Sequence, residues 1–566
     1  MMMFIRLSKG KYTKDYVVYL VEGYYDERGK VKQRTLKSFG YLGELTKTNP
    51  NALEELKAWA KAATQTKDET EKILVELDLR ARPNTALRNY GNVFLEAIYR
   101  ALKIPEFMNE QQAKTEVEYS LDGILQLLTY SRCLNPASKK RTYEGKGNYF
   151  FDLPDFSLDD IYRSLSQLAA MKDNLTLHLH RQLSETAGRD CSLVFYDVTN
   201  YHFESDVTEG LRQKGVAKNH MDTGIVQMGL FIDNDGIPIT YELFPGNTND
   251  MTTMRPVLER IKREYDLGKI TIVADKGNNT GDNLAYIDGE ADHYIISQKI
   301  RGSGKEFIAV VLDEDGYVAN ADESFKWKAI ERTREAKRRD GTIRKITEHL
   351  LCFWSAEEEQ YQKAKRGLLD EKIGAFIEKP SLLNASNSFG IKKYFKKIVV
   401  DKQTGEILKA KEQFVFNQEK YERDLALDGY YCIVTNDLTL APLDIIKHYH
   451  ELSKIEESFR VTKSDLEGRP VYVWTDEHVQ GHFLTCYLAL VLYRLLQRKL
   501  ENKYPIHQIK EALNGAVVLG MEKDIHLMQE TSPIIKELME LHQIDFDYKY
   551  IRNETLRHAL KKISSQ

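Results

Sequence analysis

SLVFYD (192–197) and ITIVAD (270–275) are two apolar runs, and each ends on an aspartate. Short apolar runs rich in Val, Ile, Phe and Tyr predict buried strands. Between them, IVQMGLFIDNDGIPITYELFPGN (225–247) reads as two strands around Asn234-Asp235-Gly236, a strong hairpin signal. A helix is predicted over 251–266. After ITIVAD come a short helix and the strand HYIISQK (293–299). Strands alternating with helices in this way predict an α/β domain.

Working outward, residues 300–427 break the alternation. They are highly charged and mix short strand-like and helical pieces, as in KWKAIERTREAKRRDGTIRK and IKKYFKKIVVDKQTGEILKAK, so they read as an insertion. GYYCIVTN (429–436) resumes the α/β domain as a strand, followed by helices over 441–466 and 477–500. Upstream, 16–42 reads as a β-hairpin turning at DERGK, and 51–80 as helix. Residues 86–185 read as mainly helical: VFLEAIYRALKI and LDDIYRSLSQLAAM repeat apolar residues every three or four positions. Ser157 and Asp160 stand where a cap would open the second of these helices. The expected organisation is therefore an N-terminal hairpin and helix (1–85) and a mainly helical region (86–185). An α/β domain follows in two parts (186–299 and 428–500) around the insertion (300–427), and then a helical tail (501–566).

Functional groups gather at the carboxyl ends of strands in α/β sheets. If the strands of Asp197 and Asp275 are neighbours, their carboxylates share one crevice and repel each other. A divalent cation removes that repulsion; Mg²⁺ takes one or two carboxylates plus waters and phosphate oxygens. Either aspartate alone is also a common turn-former after a strand. A third acid strengthens the case. In YHELSKIEESFRVTKSDLEGRPVYVW (449–474), Tyr449, Glu456 and Lys463 recur every seven residues. On a continuous helix they would share nearly one face, roughly 10 Å apart along the axis. The competing reading is an amphipathic helix with Ile455 and Phe459 inward and the charges solvated.

The order Asp, Asp, Glu, with Tyr449, Glu456 and Lys463 on one helix, resembles the DDE-class transposases of bacterial insertion sequences. The resemblance is to insertion-sequence family four, whose helix signature is Tyr, Arg, Glu, Lys. YDVTNYHFES around Asp197, FPGNTND (244–250), ADKG around Asp275, DGYYCIVTN, GRPVYVW and VQGHF carry it further, over most of 190–500. The spacings are 275 − 197 = 78 and 456 − 275 = 181 residues, and the long second gap resembles members with a β-containing insertion before the glutamate. Two positions depart from the pattern: Leu452 stands where the signature has arginine, and Lys276 where arginine is common. Arg460 and Lys454 are candidate substitutes for the missing arginine.

The resemblance implies an RNase H-like catalytic domain and two Mg²⁺ or Mn²⁺ ions held by Asp197, Asp275 and Glu456. Asp197 would bridge the ions. Tyr449, Lys463, Arg460 and Lys276 would contact DNA, the helical region 86–185 would be the candidate DNA-end-binding domain, and 186–299 with 428–500 would be the catalytic domain. It also implies cleavage at transposon ends, transfer of the freed 3′ hydroxyl into target DNA, and a homodimer on double-stranded DNA. Two alternatives are a catalytically retired DNA-binding derivative and an RNase H-like nuclease without strand transfer.

A formal net charge of −4 neither supports nor excludes a DNA binder, because affinity follows local basic surface. Lys139-Lys140-Arg141 and the run Arg332, Arg334, Lys337, Arg338, Arg339, Arg344, Lys345 are each either a solvated face or a DNA contact. Trp327 and Trp354 are either core residues or holders of a flipped base. The five cysteines are scattered without a CxxC pair, which argues against a zinc ribbon or disulfide framework and fits a reducing cytoplasm. The paired histidines, such as His478 and His482, lack a third ligand for zinc. The apolar stretch 479–497 carries Gln480, His482, Thr485 and Arg494, so a core helix is expected rather than a membrane span. A bacterial cytoplasmic protein, bound to the nucleoid through DNA, is the expectation.

Overall fold

The structure is a computed structural model. It describes residues 3–565 except 10–12, 14, 26–30, 69–86, 151–152, 205–206, 216–222, 379–390, 400–411 and 522–523. The chain divides into two compact units, Met1–Asn84 and Thr85–Gln566.

In the first unit, β1 (Met3–Lys9), β2 (Tyr16–Tyr25) and β3 (Val31–Tyr41) form an antiparallel sheet in that order, followed by α1 (Leu42–Thr48) and α2 (Ala52–Asp68). The expected hairpin is β2–β3; β1 is an addition. DERGK and residues 69–80 of the expected helix over 51–80 lie outside the described residues. Val18, Leu20 and Val21 are buried, and the buried Glu22 is held by Arg34 at 2.6 Å.

The second unit opens with β4 (Leu87–Asn89), α3 (Asn92–Ala101), α4 (Ile104–Gln112), α5 (Leu121–Leu134), α6 (Lys139–Glu144) and α7 (Leu158–Ala187). Ser157 and Asp160 form a reciprocal capping box at the start of α7, as their spacing predicts. Then come β5 (Leu193–His202), β6 (Ile225–Ile232), β7 (Pro238–Pro245), α8 (Met254–Glu264), β8 (Thr271–Ala274), α9 (Gly281–Gly289) and β9 (His293–Ser297). The next stretch holds α10 (Lys305–Leu312), β10 (Val318–Ala319), β11 (Phe325–Lys337), β12 (Ile343–Ser355), α11 (Ala356–Glu378), β13 (Phe395–Val399), β14 (Glu412–Phe416) and α12 (Gln418–Ala426). β15 (Tyr430–Thr435), α13 (Pro442–His450), α14 (Ser453–Arg460) and α15 (Asp476–Lys499) follow. The last elements are α16 (Ile506–Gly515), β16 (Val517–Gly520), β17 (Ile525–Met528), α17 (Pro533–Leu541), β18 (Tyr550–Arg552) and α18 (Asn553–Ser564).

Among the described residues, nine strands form one mixed sheet in the order β10-β11-β12-β15-β9-β8-β5-β6-β7. β5, β8 and β9 are mutually parallel neighbours; the other pairings are antiparallel. Side chains alternate between faces along a strand. Phe195, Val273 and Ile295 join a core with α5, α7 and α15 on one face. Tyr196, Ala274 and Ile296 join a second core with α8 and α9 on the other.

Three expectations need correction. The stretch read as an insertion contributes β11 and β12 to the main sheet. The apolar half of β12 (Leu350 to Phe353) is buried because it lies between β11 and β15. A separate small core, with Ile373, Phe376, Ile391, Tyr394 and Phe395, forms among α11, β13, β14 and α12. The tail is not purely helical: β16, β17 and β18 form a sheet with β4, in strands too short to show a two-residue period. Finally, the helix expected over 441–466 is broken into α13, α14 and a π-helical segment, Val461–Asp465.

α15 is, among the described residues, the one helix long and apolar enough to cross a membrane, and 94% of its apolar window is buried inside the protein.

Candidate active site

β5 and β8 run in parallel with Tyr196 opposite Ala274. The next residues, Asp197 and Asp275, are therefore level on neighbouring strands, about 4.8 Å apart across the sheet; Asp275 follows the end of β8, but β5 runs on to His202 rather than ending on Asp197. β8 and β9 pair Ala274 with Ile296, which puts Ser297 beside Asp275. The Ser297 hydroxyl donates to Asp275 Oδ1 at 3.1 Å. Asp197 and Asp275 lie two residues beyond Phe195 and Val273, on the face that carries the first core.

α14 covers that same face. Ile455 and Phe459 are buried in the first core, and Glu456 between them is exposed. Tyr449, at the end of α13, is half-buried. Burial pushes its phenol up to about 12; the neighbouring Asp275 and Glu456 act in the same direction, against the Ser297 hydroxyl. The phenol thus senses both carboxylates and stays protonated at neutral pH. Lys463 lies in the π-helical segment, closed by Leu466 N donating to Val461 O at 2.9 Å. Thr462 perturbs the ladder there: its hydroxyl reaches Phe459 O at 3.0 Å and Tyr201 Oη at 2.6 Å. Lys463 Nζ donates to the Thr199 hydroxyl. Thr199 is on the Asp197 face of β5, about 7 Å further along.

The structure thus brings Asp197, Asp275, Glu456, Tyr449 and Lys463 to one face of the sheet, at the middle of β5 and the end of β8, although the helix meant to align the last three is broken. The other residues stand apart. Arg460 is exposed and paired with Asp465 at 3.2 Å. Lys276 is exposed in the 3₁₀ turn after Asp275. Leu452 is a core residue, 8% exposed and packed with Ile455 and Phe459. Lys454 bonds Asn234 O at 2.7 Å and Glu451 at 3.0 Å, so it braces the β6–β7 turn.

Among the described residues no three His, Cys, Asp or Glu side chains converge closely enough to hold a metal ion. The donor chemistry nevertheless fits a hard divalent cation, which needs only one or two carboxylates and completes its shell with water and phosphate oxygens.

The basic run in β11 and β12 is largely an internal brace. Arg332 and Arg334 both hold the buried Glu348, each at 2.8 Å. Arg334 also donates to Asn279 Oδ1 at 2.6 Å, and Asn279 donates to Ser297 O at 2.9 Å. Arg339 pairs with Asp282 and Arg344 with Asp288. Lys337 and Lys345 remain exposed. Lys139 is not on a solvated loop but buried. Trp327 packs against the first core, and Trp354 lies under Lys326 at 5.4 Å. The prominent exposed rings are Tyr472 (61%) and Trp474 (60%), which sequence reasoning passed over. Their signal was the alternation in Val471-Tyr472-Val473-Trp474, where both valines are buried.

A family model described as "Transposase DDE domain" matches residues 197–492, beginning at Asp197 and containing Asp275 and Glu456. A second, "IS1634 family transposase, N-terminal domain", matches residues 5–72. The N-terminal match thus names the IS1634 family, which is distinct from insertion-sequence family four. No curated protein matches the chain. Among solved structures, the chain is similar to the piggyBac transposase synaptic complex with hairpin DNA. Identity is 8%, coverage 83% of this chain and 84% of that one, and the TM-score 0.36. The DDE match spans more than half of the 566 residues, and the chain belongs to the transposase DDE domain family as a DNA transposase of an insertion sequence.

Proposed function

We propose that Asp197, Asp275 and Glu456 are the catalytic acids of this transposase, in an RNase H-like domain. The observation that carries this reading is the register of β5 and β8, which sets two aspartates side by side, one within β5 and one at the end of β8, under the helix of Glu456. The order β9-β8-β5-β6-β7, with the first three strands parallel and the last two antiparallel, supports the fold assignment.

The three carboxylates would hold divalent ions, Mg²⁺ or Mn²⁺, and a pair of such ions, when bound, would supply activation of an attacking oxygen and neutralisation of a leaving oxygen. The chain's own residues do the rest. Tyr449, protonated and beside Asp275 and Glu456, donates to a phosphate oxygen. Lys463 offsets phosphate charge next to β5. In the first reaction a water oxygen bonds to phosphorus and the bond to the 3′ oxygen breaks, leaving a 3′ hydroxyl on the element. In the second, that hydroxyl oxygen attacks a target phosphate and displaces the target's own 3′ oxygen. Two ends are processed together, so the working assembly is a homodimer on double-stranded DNA.

The test uses the inverted repeats flanking the coding region as substrate. Glu456→Gln should abolish Mg²⁺-dependent cleavage of labelled ends and their joining to a target plasmid. Full activity in this variant would sink the assignment of Glu456. Cutting by the wild type without joining would mean a nuclease instead.

A further inference from the structure

Beyond β5, a cavity of about 370 Å³ lies between α6, α15 and the loop that follows the π-helical segment. Arg132, Lys139, Arg141 and Arg469 line it, with His482 and Tyr472. Among the described residues none of these four cations forms an ion pair, whereas the adjacent Lys140 reaches Glu144 at 3.9 Å. Lys139 is 6% exposed, and its ammonium meets only His482 Nδ1, at 3.4 Å. His482 Nε2 then donates to Gly468 O at 3.3 Å, which fixes the ring with Nδ1 as acceptor. Arg132 donates to the carbonyls of Leu466 and Glu467, each at 3.3 Å, so its charge is tethered but not neutralised. Glu467 also lines the cavity, as its one acid.

Buried charges are ordinarily paired, because an unpaired one carries a desolvation cost. Arg132 and Lys139 are such buried charges, Arg469 is half-buried and Arg141 exposed; three arginines and a lysine around one cavity, facing a single acid, are what an anion would complete. We propose that this cavity is a phosphate-binding pocket for the DNA strand that flanks the cut. Burial, reinforced by Arg132, holds the Lys139 amine down to about 7, and an anion beside it would favour the charged form.

The location fits a flanking contact. Val471, beside the lining residue Pro470, donates to His202 O at 3.0 Å, and His202 ends the strand that carries Asp197. His202 is five residue steps from Asp197 along the strand, about 17 Å, or about five steps of duplex rise at 3.4 Å each. The exposed Tyr472 ring borders the pocket and offers a stacking surface for an adjacent base. The inference rests on the chain being a DNA transposase but not on the role of the three acids.

The experiment measures binding of the full-length protein to a fluorescein-labelled linear duplex, in EDTA, over a salt series. Arg141→Gln and Arg469→Gln should each weaken binding and reduce the salt slope by about 1, the loss of one phosphate contact. Lys139→Met should do the same, and Lys140→Gln should bind like the wild type. An unchanged slope in both arginine variants overturns the proposal, as does an equal loss in Lys140→Gln. If Lys139→Met fails to fold by circular dichroism, the two arginine variants decide alone. A free-anion pocket gives a different pattern: inorganic phosphate raises the melting temperature of the wild type while the arginine variants keep their DNA slope, and that result also overturns the DNA assignment. Mg²⁺-dependent end cleavage by Glu456→Gln is read separately from these binding slopes, so failure of the pocket and failure of the catalytic acids are separately visible.

Discussion

Ser297 is the residue that orients Asp275, and nothing in HYIISQK marks it for that role. Its hydroxyl donates to the carboxylate, and its own carbonyl is held by Asn279, which Arg334 holds in turn. Groups that orient a metal-binding carboxylate from behind typically account for 10- to 100-fold in metal affinity or activity. Ser297→Ala should therefore leave the fold intact and raise the Mg²⁺ concentration needed for half-maximal cleavage by about tenfold. A metal titration of end cleavage measures this, and an unchanged midpoint would remove Ser297 from the site. Leu452 teaches the complementary lesson. In a family signature it looks like a lost arginine, but in the fold it fills the core between Ile455 and Phe459 and has no outlet to phosphate.

α15 and α7 form a main helix contact of the second unit, and Gly481 sets how closely they approach. A Cβ there would sit 2.4 Å from the Leu165 carbonyl oxygen, a backbone atom that cannot turn aside. Gly481→Ala should cost about 1–3 kcal/mol by overpacking, read as a lower urea midpoint with an unchanged slope. An unaltered midpoint would show that the helices can separate freely. Elements of this kind were legible in sequence when they were long or sharply bounded. α7 announced itself through its capping box and period, and β6–β7 through Asn234-Asp235-Gly236. SLVFYD and ITIVAD gave the strands of the two aspartates. Their adjacency was not legible, because strand order is a long-range property that no local period encodes. The break between α13 and α14 was hidden for a different reason: the seven-residue recurrence of Tyr449, Glu456 and Lys463 fits a continuous helix, and the interruption arises from local bonds such as Leu452 N to Tyr449 O at 3.1 Å. The basic run of β11 and β12 misled because its partners, Glu348, Asp282 and Asp288, come from pairing and packing that the sequence does not display.

Across the second unit, α7 links the two cores, contributing Leu165, Leu168 and Leu175 to one and Leu177 to the edge of the other. His180 secures this bridge: its Nε2 donates to Tyr265 O at 2.9 Å, just after α8. Burial holds its imidazole down to about 4 from 6.5. Arg189 and Arg181 act in the same direction, against the Tyr265 carbonyl and Asp266. The folded state thus prefers the neutral ring more strongly than the unfolded chain does. As pH falls from 6.5 towards 4, the unfolded imidazole takes up its proton first, and stability is lost across that window. Below about 4 both states are protonated and the loss is complete; above 6.5 both are neutral and the contribution is full. Between pH 7 and pH 5 the expected loss from this group is about 2 kcal/mol. The buried His482, held low chiefly by burial and then by Lys139 and Arg132, adds to it in the same direction. Urea unfolding at the two pH values measures the sum, and His180→Gln should flatten the dependence by the share belonging to His180. A variant that keeps the full pH dependence would show that His180 titrates alike in both states and that acid loosens the unit elsewhere.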